Sequence, residues 1–444
     1  MWYYLVINSK EKGERMEGIL TIFVFLVFII VITGILNEKV LKISNNIALL
    51  IVSFCISILL LIGNKLDLIS NDFFVFTSLN RLHLDEILLE GVICFMIFAG
   101  ASKIQFTKLV SNYKSISMLA ILTTILSSMI YGVLFYTVST VFKIGLDLAT
   151  CFLLGSIISP TDPIAASSIL NKLGLPKGIS SVIEGESLFN DGIGVALFAF
   201  IQNIITNAKS QNFLWLVTKN ISGALVIGLF SSFILFKLTK KTKEPNLHIL
   251  ISLMNVSFCY VICEHFGFSG VIASVVCGIY FSYQNKKCER WKKVVDSNNL
   301  YIDFWNTIDE LLNSVLFVLI GLTAFIIPIN YKIIWIIPTA IIVNFISRYV
   351  SVFISGVILG DDNIPNKYSI KDFTKLMTYT AMRGGVSLAL AFSTNAFLNE
   401  KEYNIILNAT LITILFTTIV QGMLIPVVYK GIEEKRNTKA LMKT

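Results

Sequence analysis

The chain has 444 residues, of which 55% are hydrophobic and only 14% charged, with a mean hydropathy of +0.76. An average soluble domain carries about 25% charged residues, so this is an integral membrane protein. Its long apolar runs lack strict alternation, which excludes an outer-membrane barrel and predicts an all-α bundle. The net charge of +8 is concentrated in loops between those runs and does not signal a nucleic-acid partner.

Residues 1–18 read as an N-terminal extension. The stretch Lys12 to Arg15 can be encoded by a sequence resembling a bacterial ribosome-binding site, so translation is expected to start at Met16. The first apolar run, 19–36, is long enough to span a bilayer and lacks a small-residue cleavage site, which makes it a span rather than a signal peptide. Twelve more candidate spans follow, near 47–63, 87–101, 115–139, 148–170, 180–205, 214–236, 246–264, 268–284, 304–327, 333–358, 375–397 and 404–429. Residues 430–444 form a short basic tail. The seven cysteines show no regular spacing and only three histidines exist, so no resident metal or other cofactor is expected.

Alternate loops are basic. KVLK at 39–42, the 102–114 loop, NKLGLPK at 171–177, KLTKKTK at 237–243, NKKCERWKK at 285–293, the 359–375 loop and the tail hold 24 of the 36 lysines and arginines. By the positive-inside rule the C-terminus is cytoplasmic and, with thirteen spans, the N-terminus is outside. Every functional group is then expected within residues 19–429.

Two spans carry features that a lipid-facing helix does not tolerate. The fifth contains SPTDPIA (Ser159 to Ala165), where Pro160 and Pro163 cannot donate backbone hydrogen bonds and bracket Asp162. The twelfth contains Arg383 followed by Gly384 and Gly385. Broken helices at corresponding positions in two halves point to an inverted-repeat transporter with its site at the midplane. Repeat 1 is then about 19–205, repeat 2 about 246–429, and 214–236 is the linker helix.

The sixth span supplies ligands. Glu184, Ser187 and Asp191 fall at i, i+3 and i+7 on one helical face, and Glu186 and Asn190 form the neighbouring ridge. A carboxylate at membrane depth costs at least ~2.5 kcal/mol on insertion scales, so it needs a wet cavity, a partner or a proton. Thr161 and Asp162 add a hydroxyl, a carboxylate and unwound carbonyls, the oxygen ligands that hard cations take. Asp191 is the expected shared site of proton and cation. If it holds either one proton or one monovalent cation, alternating access yields exchange with no net charge moved.

Arg348 and Arg383 are basic residues placed in the interior of spans, away from their ends, and each is expected to face a carboxylate: Glu186 for Arg348, and the Asp162 region for Arg383. Asp309 and Glu310 are read as interfacial, and Asn313 and Ser314 as interhelical hydrogen-bonding groups. Glu184 fits a headgroup position or the site equally.

Four motifs in order, SPTDPIA, EGESLFNDG (Glu184 to Gly192), ELLNSVLFVLIGL (Glu310 to Leu322) and MRGGVSLALA (Met382 to Ala391), resemble the sodium/proton antiporters of the cation/proton antiporter-1 family. The resemblance runs from Ile19 to Tyr429. It implies Na+ or Li+ exchange for H+ in the cell membrane, electroneutral because Asn190 precedes Asp191. It also implies Na+ contacts from Thr161, Ser187 and Asp191 with Asp162 at the helix crossing, Asn190 helping to hold that crossing, and a homodimer whose six-helix core moves against a dimerisation domain. One departure stands out: many relatives carry a Phe-Glu pair in the third span, where this chain has Phe98-Ala99, and Glu90 is the only acid of that span. A K+/H+ antiporter would use the same frame. A channel lacks its repeated pore loop of the TVGYG kind, and an intramembrane aspartyl protease would require YD and GxGD motifs that do not occur.

Overall fold

The computed structural model describes residues 21–66, 92–104, 106–206, 213–242, 244–287, 300–323 and 333–441. The extension at 1–18, Glu90 and the start of the third span lie outside the described residues. The helices, numbered by span, are α1 (Thr21–Leu41), α2 (Asn45–Lys65), α3 (Ile93–Lys103), α4 (Tyr113–Val141), α5a (Leu148–Ile158), α5b (Pro163–Lys172), α6 (Lys177–Ile205) and α7 (Phe213–Thr239). Then come α8 (Pro245–His265), α9 (Gly270–Lys287), α10 (Leu300–Thr323), α11 (Ile333–Leu359), α12a (Ile370–Tyr379), α12b (Gly385–Ser393) and α13, which runs from Glu400–Leu415 through a π turn at Phe416–Gln421 into Gly422–Leu441. Among the described residues nine helices are long and apolar enough to cross a membrane, and α3, α5a and Gly270–Gln284 are shorter apolar helices. Each of the thirteen predicted segments overlaps a helix among the described residues.

The fifth and twelfth helices are both discontinuous. Asp147 caps α5a by accepting from the Thr150 amide at 2.8 Å, and Pro163 opens α5b at the first helical position, where its missing N–H costs nothing. Ser369 caps α12a through the Asp372 amide at 3.2 Å, so this helix begins five residues before the 375 boundary expected from hydropathy. The breaks cross each other: the Asp162 amide donates to the Met382 carbonyl at 2.8 Å in an isolated antiparallel bridge.

The helices associate in two groups. α4, α5a, α6, α11, α12a, α12b and α13 pack among themselves, and α2, α3, α7, α8, α9 and α10 form the other group. The groups meet where α6 touches α3, α7 and α9, where α10 touches α12b and where α2 touches the π turn of α13. Large apolar side chains such as Phe28 on α1 and Phe230 on α7 are exposed, as suits helices whose outer surface meets lipid rather than water.

The thirteenth helix continues beyond residue 429 to Leu441. Arg436 donates to Glu433 at 2.9 Å and to the Asn366 carbonyl at 2.8 Å, while its guanidinium stacks 3.8 Å from the Tyr368 ring centroid. The Tyr368 hydroxyl donates to Glu433 at 2.6 Å. Burial, and then that carboxylate, raise the phenol above its usual range.

Candidate functional site

Each break leaves the carbonyls of a half-helix without intrahelical partners, and buried side chains take them up. Arg383, buried, donates from Nη1 to the carbonyls of Ser159 at 2.8 Å and Pro160 at 3.0 Å. Its other nitrogens reach Asn344 Oδ1, Nη2 at 2.9 Å and Nε at 3.3 Å. A cation at this point also matches the negative end of the α5a dipole. Gln421 does the same for α12a, its Nε2 donating to the carbonyls of Thr378 at 2.8 Å and Tyr379 at 2.9 Å. Arg383 reaches the break beside Asp162, the region expected for it, where the partners seen are main-chain carbonyls and an amide oxygen at the negative end of the α5a dipole.

The opposite dipole ends belong to Asp162, which immediately precedes α5b and lies against the start of α12b. A Cβ added at Gly384 would sit 2.7 Å from both Cβ and Oδ2 of Asp162. Glycine at 384 is thus required by the close approach of the two breaks.

α6 holds the first break from the side. Asn190 Nδ2 donates to Thr161 Oγ1 at 2.7 Å, Asn190 Oδ1 accepts from the Thr161 amide at 3.4 Å, and Ser187 Oγ donates to the Thr161 carbonyl. Asn190, Ser187 and Thr161 are all buried. Glu186, on the ridge beside them, pairs with Arg348 of α11 at 2.5 Å, with both side chains 2% exposed. Arg348 Nη2 also reaches the Met377 carbonyl at 3.5 Å, while its Nε and Nη1 have no partner among the described residues.

These elements enclose one side of a cavity of about 490 Å³. Thr161, Asp162, Ser187 and Asp191 line it. Three further carboxylates, Glu184, Asp309 and Glu310, also line it, facing Lys103 of α3. Asp309 is buried and accepts from Asn313 Nδ2 at 2.8 Å, so it belongs to the cavity wall. Ser314 donates within its own helix, to the Glu310 carbonyl at 2.6 Å. Ala99 is fully buried and absent from the lining, which on α3 comes from Met96, Gly100 and Lys103 among others.

Sequence reasoning missed Asn344, Gln421 and Ser387. Asn344 stands one turn before Arg348 on an apolar helix, a spacing that marks a shared face. Ser387 is buried, lines the cavity and has no partner for its hydroxyl among the described residues. Chemically, the cavity offers hard oxygen ligands around a carboxylate in low dielectric, a setting for a monovalent cation or a proton. No cluster of three metal-ligating side chains occurs among the described residues.

A sequence model of the sodium/hydrogen exchanger transmembrane family matches residues 27–431. The Na(+)/H(+) antiporter NhaP of Pseudomonas aeruginosa is 29% identical over 352 residues, spanning 78% of this chain and 81% of that protein. The Na(+)/H(+) antiporter NhaH of Halobacillus aidingensis is 31% identical over 337 residues, spanning 74% and 78%. Among solved structures, the sodium proton antiporter MjNhaP1 from Methanocaldococcus jannaschii at pH 8 superposes with a TM-score of 0.72 at 19% identity, covering 93% of this chain and 98% of that one. At that identity the likeness speaks for the fold.

Proposed function

Because the chain belongs to the sodium/hydrogen exchanger family, we propose that it exchanges Na+ for H+ by letting the two compete for Asp191 in a cavity that opens to one side of the membrane at a time. It is a secondary active transporter and not an enzyme. The observation that supports the site is the convergence of Asp191 and Ser187 on α6 with the unwound Thr161-Asp162 segment in a single cavity. Thr161 Oγ1 accepts from Asn190 and keeps a second lone pair for a cation. Asp191 supplies the charge that either ion neutralises. Asp162 balances the half-helix amino ends, and Arg383 the carboxyl end of α5a, so neither needs to change charge in the cycle.

With one proton or one Na+ per Asp191, the exchange is electroneutral and driven by the ion gradients alone. The basic loops support a cytoplasmic C-terminus. The same rule puts the cavity on the cytoplasmic side, since its lining includes Lys103 at the cytoplasmic end of α3 and Glu184 near the cytoplasmic start of α6. In this reading the described state is inward-facing, thirteen spans form two inverted repeats joined by α7, and the group containing α5 and α6 moves against the other within a homodimer in the cell membrane. Native mass spectrometry in detergent checks the dimer.

The decisive experiment follows proton movement in proteoliposomes under an imposed pH gradient. NaCl is expected to dissipate the gradient at the same rate with the potential clamped or free, and Asp191→Asn to abolish the response. Dependence on potential overturns the one-for-one stoichiometry. A response to K+ alone moves the cargo to potassium, and Li+ in parallel reads the remaining preference.

A further inference from the structure

Of the residues lining the cavity, five carry carboxylates and one, Lys103, carries an ammonium group. That ammonium lies 2.6 Å from Asp309 Oδ2, with the lysine side chain 37% and the aspartate 11% exposed. Asp309 is further fixed by Asn313, which donates from Nδ2 to Oδ1 at 2.8 Å and to the Asp309 carbonyl at 2.7 Å. Glu184 lines the same cavity. Glu310 faces the same space. The pair belongs to α3 and α10, and among the described residues no hydrogen bond or ion pair joins it to Asp191.

We propose that Lys103 is a tethered cation that competes with Na+ for the carboxylates at the cavity mouth, so that the Lys103–Asp309 pair sets the apparent cation affinity of the exchange. The ammonium is a compact point charge on a flexible stem. While seated on Asp309 it offsets one negative charge of a cavity whose potential would otherwise concentrate Na+ near Asp191. An ion pair whose lysine stays partly exposed contributes little to stability, yet the same charge acts through space on every cation that approaches. This inference rests on the exchange assigned above and names a residue that tunes it without touching the shared carboxylate.

The test measures KM for Na+ added to the cytoplasmic face, using everted vesicles from a host without its own sodium/proton antiporters. Lys103→Gln is expected to lower KM about three- to tenfold, the scale of one unit charge acting at cavity distances. Asp309→Asn, which leaves the ammonium unpaired in the cavity, is expected to raise it by a similar factor. The double variant restores the original charge count and returns KM to near wild type, and Lys103→Arg stays close to wild type. Inert choline chloride narrows both shifts, as screening requires. A purely structural clamp would move both single variants in the same direction and leave their KM insensitive to salt, which overturns the proposal; so does an unchanged KM in Lys103→Gln. Should that variant fail to fold, Asp309→Asn alone decides, since a KM that does not rise contradicts the mechanism. If the wild type shows no Na+-driven proton movement, the exchange reading itself has failed before any variant is compared.

Discussion

Asn190 engages Thr161 with both ends of its amide, donating to the hydroxyl and accepting from the backbone N–H. A fully buried side chain that satisfies two groups of an unwound segment is costly to remove, because a buried polar group left unpaired costs about 1–3 kcal/mol. Asn190→Leu is therefore expected to lower the melting temperature by several degrees in detergent and to stop exchange, since Thr161 loses its orientation. Retained transport with an unchanged melting temperature would show that Asn190 is dispensable. The neighbouring Glu186–Arg348 pair is a different case, because it holds α6 to α11 inside one group of helices. Breaking a buried ion pair by removing one partner costs about 3–5 kcal/mol, while replacing both often costs far less. Glu186→Gln and Arg348→Met should each reduce the yield of folded protein, and the double variant should recover part of it, as size-exclusion profiles of fluorescent fusions will report.

At the scale of elements, the crossing of α5 and α12 depends on how closely two unwound backbones can approach. Gly384 has no room for a methyl group beside Asp162. Gly384→Ala is expected to push the breaks apart and cut exchange by more than tenfold. Gly34→Ala on α1 is the matched control, since a Cβ there meets nothing within 4 Å and Ala in a helix interior is favoured over Gly by about 0.5–1 kcal/mol. Equal loss in both variants would refute the steric argument. The interchange of caps matters as much as the spacing: Arg383 and Gln421 supply from other helices the donors that a continuous helix supplies to itself.

For the whole molecule, function follows from where the cavity lies between two packed groups of helices. One wall carries the broken helices and Asp191, and the other carries Lys103 and Asp309. If the described state faces the cytoplasm, Glu184→Cys in a cysteine-free background should react with a membrane-impermeant thiol reagent in everted vesicles and resist it in right-side-out vesicles. Labelling only from the outside would reverse the assigned orientation.

Sequence alone was enough for the membrane class, the all-α architecture, the two broken helices and the grouping of Thr161, Asp162, Ser187 and Asp191. The reason is physical: charges, prolines and paired glycines are so unfavourable inside apolar helices that their presence there is itself a signal, and α6 carries Ser187 and Asp191 at a spacing that local geometry converts into a face. The tertiary structure alone decided the partners of Arg383, the membership of Asp309 in the cavity, and the ion pair between Lys103 and Asp309, which stand 206 positions apart. Each of those depends on helices distant in the chain meeting at one depth. Asp309 and Lys103 sit near helix ends, where a charge in a single sequence reads as interfacial, and Asn344 and Gln421 are neutral amides that reveal a role only when Arg383 is placed against the one and the opened α12a backbone against the other.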